Sequence, residues 1–203
     1  MPILSLLTIA AVVAWVALAI AAQVLTLGQS ALSMGLSGLA TGRFGWLMKL
    51  AFVVRGLAAL ALVAAVAGSV PAAAVSVPGL ALFAAWGGGS ALLACYDTDM
   101  PGCKPTRRGQ AHALIALVAY VAAVAGMILV SLRLRDGGEA IAVVARWSLL
   151  IALVAAVALF AQFAGFAEAA RPSTHGLGRY AGLLQRIFLG LVMLWTVVVA
   201  AGI

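Results

Sequence analysis

The chain has 203 residues, 66% of them hydrophobic and 8% charged, with a formal net charge of +7. Soluble domains are about 45–50% apolar and about 25% charged, so this composition excludes a water-facing globule. The twelve basic residues are spread over short loops and are not interleaved with aromatics, which excludes nucleic acid as a partner and fits membrane topology and anionic headgroups.

The apolar residues come in long runs without the alternation of a membrane barrel. A run that is apolar on every side has no face suited to water, so lipid must cover it. The expectation is an all-α, six-helix transmembrane bundle, a single domain over 1–203 with helices at about 3–22, 45–68, 72–94, 111–132, 147–166 and 182–201. The first helix has about the 20 residues needed to cross about 30 Å of hydrocarbon. It lacks a basic leading segment and exceeds the usual signal-peptide core, so it reads as a span.

Residues 23–42 form a loop of small and polar residues that reads as a short interfacial helix, which would set Ser33 and Ser37 on one face. Trp46 and Lys49 mark the interface at helix two. Arg55 follows six residues later, about 9 Å deeper at 1.5 Å per residue. Residues 69–71 make a tight hairpin into helix three, whose Ala85 and Gly89 form a small-xxx-small pair that would let another helix approach closely. The most polar loop, 96–110, is bracketed by Cys95 and Cys103, read as reduced thiols unless the loop faces an oxidising compartment. His112 opens helix four, and Gly137 and Gly138 signal a turn before helix five. Gln162 lies on helix five, Glu168 and His175 in the next loop, and Gln185 and Arg186 at the start of helix six. Two similar triplets, Gly42-Arg43-Phe44 and Gly178-Arg179-Tyr180, read as coincidence rather than a repeat.

The loops after helices one, three and five share a face. With the helix ends beside them they hold Arg43, Lys49, Lys104, Arg107, Arg108, Arg171, Arg179 and Arg186, against Arg133, Arg135 and Arg146 opposite. The positive-inside rule then places these odd loops in the cytoplasm of a bacterial inner membrane and both chain ends in the periplasm.

An arginine as deep as Arg55 normally faces the bundle interior and finds an acid or carbonyls. The expected carboxylate partner is Asp99, then Glu168, then Asp97; a buried ion pair that only fixes helix register is the plainer alternative. The candidate pocket combines Arg55, Asp99, His112, Glu168 and Arg186 on the odd-loop face, between helices two, four and six. Helix starts on that face carry partial positive charge and favour an anionic group. In the competing reading Asp99 caps helix four or folds its own loop with Thr98. His112 and His175 with nearby acids are weak metal candidates, because no H-x-x-x-H or H-E-x-x-H spacing occurs. His112 is better read as hydrogen-bonded to a neighbouring loop. No nucleophile, P-loop or dinucleotide motif is present, so no residue receives a catalytic role and no cofactor is expected.

The central loop carries a recognisable pattern: Tyr96-Asp97-Thr98-Asp99-Met100-Pro101-Gly102, then Pro105-Thr106, then Gly109-Gln110-Ala111-His112. It resembles the aromatic-Pro-Thr-Asp-x-Pro, Pro-Thr and Gly-x-x-His series of the bacterial "domain of unknown function 998" family. The serine-rich first loop leading to Gly45 and Trp46 is similar too, as is the base Arg186 opening the last helix. Asp97 stands where that family usually has proline, and Gln185 where an acid often precedes the arginine. The resemblance implies a six-helix membrane fold and one important loop face, and it implies no chemistry. Together these features suggest a non-catalytic accessory or binding subunit in contact with membrane lipid or other membrane subunits. A transporter or lipid-handling protein using the odd-loop pocket is the first alternative, and a metal-dependent membrane hydrolase the second.

Overall fold

The computed structural model describes residues 2–100, 102–170 and 176–203. The described residues form six long helices: α1 (Ile3–Leu25), α2 (Gly45–Ser69), α3 (Val77–Leu92), α4 (Arg107–Leu134), α5 (Glu139–Ala169) and α6 (Ala181–Ala201). All six, α3 and α6 with the short 3-10 turns beside them, are long and apolar enough to cross a membrane. No strand occurs among the described residues. The expected fold class is the observed one.

Three boundaries differ from the hydropathy reading, each for a local reason. α3 starts at Val77 because the Ser76 hydroxyl accepts the Gly79 N–H and Pro78 occupies the first turn, where its missing N–H costs nothing. The preceding Ala72–Ala74 is a separate 3-10 turn. α4 starts at Arg107, because Thr106 caps it. α5 starts at Glu139 and carries Arg146 within it, a long side chain that can extend along the helix to reach polar surroundings. The first loop forms no interfacial amphipathic helix. It contains a 3-10 turn, Leu36–Thr41, whose Leu36, Gly38, Leu39 and Ala40 are buried against protein.

Each helix packs on the next in sequence, α1 also meets α6, and α6 reaches α2 and α4. Consecutive elements are usually adjacent in space. α6 contributes Phe188, Leu189, Val192 and Trp195 to the buried core. The Phe83 ring of α3 lies 4.9 Å from both Trp86 and Trp195, and the Trp195 indole donates to Ser131 at 3.0 Å. Gly89 does not meet a foreign helix: a Cβ there would lie 2.9 Å from the Ala119 side chain of α4. Its small size serves packing inside the chain.

The two similar triplets share a local structure. Phe44 and Tyr180 each sit at a helix N-cap with near-identical backbone angles (φ −98°, ψ 16° and φ −110°, ψ 10°). Arg43 lies over the Phe44 ring and Arg179 over the Tyr180 ring. An arginine stacked on the capping aromatic fixes the chain's entry into α2 and α6 alike.

Candidate functional site

The central loop is closed by a relay of side-chain hydrogen bonds. Asp99 Oδ2 accepts the Thr106 N–H at 2.8 Å, and Asp99 Oδ1 accepts the Thr106 hydroxyl at 2.7 Å. The same Thr106 oxygen accepts the Gly109 N–H at 3.0 Å and so caps α4, an interaction typically worth about 1 kcal/mol. A Cβ at Gly109 would collide with the Asp99 carboxylate; only glycine lets the loop lie this close to the helix. The Thr106 amide, then its hydroxyl, holds the Asp99 carboxyl below the usual carboxylate range. A lowered folded value means the lock is intact above the ordinary range and loosens as pH falls through that value. Asp99 therefore folds its own loop, through Thr106 rather than Thr98.

His112 Nδ1 lies 2.7 Å from the Tyr96 carbonyl. A carbonyl only accepts, so Nδ1 carries the proton. This ties the start of α4 to the end of the Leu93–Cys95 turn after α3, as the loop-staple reading of His112 expects. Asp97 pairs with Lys49 at 2.7 Å, with both side chains partly exposed; such surface pairs contribute about 0–1 kcal/mol. Cys95 and Cys103 are both free and exposed.

A second lock pins the serine-rich strap, residues 30–37, to the start of α6. Leu183 N–H donates to the Leu32 carbonyl at 2.9 Å, and Leu36 N–H donates to Gln185 Oε1 at 2.7 Å. Arg186 Nη1 donates to the carbonyls of Ala31 (2.9 Å), Met34 (2.7 Å) and Gly182 (3.0 Å), and Nη2 to Gln23 Oε1. Gln185 thus accepts a backbone N–H where the family often has an acid, and no ion pair is needed there. A Cβ at Gly182 would strike the Met34 carbonyl. Sequence reasoning noticed Gln185 and Arg186 but not this clamp, because their partners are backbone groups. The only available signal was two bonding side chains next to a glycine at a helix start.

Arg55 corrects the ion-pair expectation. Its side chain is fully buried, and Nε donates to Ser90 Oγ at 2.7 Å. Nη1 and Nη2 have no partner. The guanidinium lies 5.4 Å from the Phe52 ring and 5.9 Å from Trp86, with the Tyr120 hydroxyl as a further neighbour. None of Asp99, Glu168 or Asp97 reaches it: the ion pairs among the described residues are Lys49–Asp97 and Arg133–Asp136. Glu168 instead accepts the Gly178 N–H at 3.2 Å in the turn before α6.

Of the five candidate residues, Arg55 and His112 share the Phe52 ring, at 5.4 Å and 6.3 Å from its centroid. Arg55 and His112 are interior, Asp99 and Glu168 fold loops, and Arg186 clamps the strap. Among the described residues no three His, Cys, Asp or Glu side chains converge as a metal set would; His175 lies outside the described residues.

Asp99 does line a cleft of about 690 Å³ on the odd-loop face. The strap contributes Ser33, Met34 and Ser37, the central loop Thr98, Asp99 and Met100, and the end of α5 Phe166. Hydroxyls and a carboxylate thus face methionine and phenylalanine across one opening. Cleft, locks and bundle together define a multi-pass membrane protein with a built, ligand-sized recess on one loop face. The family model described as "Protein of unknown function (DUF998)" matches residues 9–202, and the chain belongs to that family. No curated protein and no solved structure matches it.

Proposed function

We propose that the protein is a membrane-embedded binding protein, of the transporter or lipid-handling kind, that takes an amphipathic ligand into the odd-loop cleft. The observation that carries this reading is the cleft itself. Its volume of about 690 Å³ lies within the roughly 300–1,000 Å³ of small-molecule sites, and its lining joins apolar walls to a few polar groups. It opens on the face that holds Lys104, Arg107, Arg108 and Arg179, so an anionic or zwitterionic polar end suits it. The small-residue pair at Gly89 does not speak for the accessory-subunit reading, because Gly89 packs on Ala119 of the same chain.

Ser33 is exposed on the strap and lines the cleft, so Ser33→Trp fills the recess without entering the core. Native mass spectrometry of the purified full chain should show a non-covalent adduct that Ser33→Trp loses while its melting temperature stays unchanged. No adduct on the parent, or an identical set of adducts on both proteins, overturns the reading. A stoichiometric second polypeptide retained in mild detergent would favour the accessory subunit instead.

The sidedness follows from charge. With the odd loops in the cytoplasm of a bacterial inner membrane, Cys103 faces inward. In a Cys95→Ser background, a membrane-impermeant maleimide should label Cys103 in inverted vesicles but not in intact cells. The opposite pattern reverses the orientation.

A further inference from the structure

A second recess opens sideways between α1 and α6, away from the cleft. It holds about 300 Å³ and is almost wholly apolar, walled by Trp15 and Ala19 of α1, Leu36 of the strap and Gly190 of α6. Gln23 and Arg186 stand at its loop-face end. From Gln23 down to Trp15 it follows α1 for about 12 Å, a little under half of a hydrocarbon core about 30 Å thick. Two other lateral grooves, one against Trp147 and one against Val121, have no polar lining at all. Lipid tails fill such grooves without preference.

The α1–α6 groove differs by its cation. All the acceptors bonded to Arg186 are neutral, three carbonyls and one amide oxygen. No carboxylate pairs with it among the described residues. Its charge is therefore oriented but not cancelled. It lies five residues into α6, about 7.5 Å from the helix start. Gly190, one turn below, supplies the floor: a Cβ there would meet nothing within 4 Å. The groove is open because that position has no side chain.

We infer that the α1–α6 groove binds an anionic phospholipid, one acyl chain lying along Trp15, Ala19 and Gly190 and the phosphate beside Arg186. The site is independent of the cleft ligand, since the strap separates the two recesses. A juxtamembrane arginine favours an anionic over a zwitterionic headgroup by about fivefold.

The test reconstitutes the full chain into nanodiscs of equal phosphatidylglycerol and phosphatidylcholine and counts retained lipids by native mass spectrometry. The parent should retain phosphatidylglycerol about fivefold over phosphatidylcholine, and inorganic phosphate in the buffer should not displace it. Gly190→Leu fills the groove from α6, its Cβ meeting nothing within 4 Å, and Ala19→Leu fills it from α1. Both should bring the ratio to parity, Gly190→Leu with unchanged melting temperature, while Ser33→Trp leaves the preference intact. Parity in the parent, displacement by phosphate, a preference surviving both leucines, or one lost in Ser33→Trp would each overturn the assignment.

Discussion

Replacing Arg55 with methionine should leave the thermal stability of the detergent-solubilised protein unchanged or raise it, whereas Arg55→Ala should lower it by about 2–5 kcal/mol. The guanidinium is fully buried, only Nε is hydrogen-bonded, and no carboxylate answers it. Burying a charge costs several kcal/mol even after relaxation, and good geometry with satisfied donors is needed to offset it. The Ser90 hydroxyl, the neighbouring Tyr120 hydroxyl and two aromatic faces fall short of that, the aromatic contacts contributing about 0.5–2 kcal/mol each. Methionine keeps most of the volume, removes the unpartnered donors and adapts to an irregular space. Ser90 then turns its hydroxyl to a carbonyl of its own helix. Alanine leaves a cavity instead. Thermal melts of the three proteins decide the matter. A methionine variant as unstable as the alanine variant would mean that the charge is compensated by a bound group. A stable methionine variant that loses ligand binding would place the arginine in function rather than folding.

Arg186→Ala should cost about 3 kcal/mol and free the strap. Hydrogen bonds to charged groups each contribute about 1.5–3 kcal/mol. Arg186 makes four, to Ala31, Met34, Gly182 and Gln23. They are not additive, since one guanidinium serves them all and Gly182 lies on its own helix. The strap keeps its bonds to Leu183 and Gln185, so the rest of the bundle should persist. Limited proteolysis should cut between residues 26 and 35 in the variant but not in the parent, with a melting temperature several degrees lower. Lysine should restore only part of the loss, because a point charge cannot span the carbonyls of Ala31 and Met34 together with Gln23. An uncut strap in Arg186→Ala would show that Gln185 and Leu183 hold it alone.

Much of the central loop was legible in the motif that carries the family likeness, though as geometry rather than chemistry. The Thr98-Asp99, Pro105-Thr106 and Gly109-to-His112 series marks a folded unit in which Asp99 holds Thr106, Thr106 caps α4, Gly109 admits the carboxylate and His112 ties back to Tyr96. The residue types were read correctly as polar groups in need of partners. The pairing was legible for His112 and not for Arg55. For Arg55, sequence reasoning sought a carboxylate because opposite charges attract, while the nearer contacts are a serine and two aromatic rings on α2 and α3.

What the sequence by itself determined is the membrane setting: six spans, their order and the basic face. These follow from apolar run length against bilayer thickness and from the placement of arginines and lysines, quantities local to each segment. The tertiary structure alone decided which faces meet and where space is left. Gly89 and Gly190 are the same residue type in similar apolar helices, yet one is filled by Ala119 and the other opens a groove. The strap is held by backbone carbonyls that carry no side-chain signature. Close approach between helices and bonds to main-chain acceptors depend on three-dimensional position, and no local pattern encodes them.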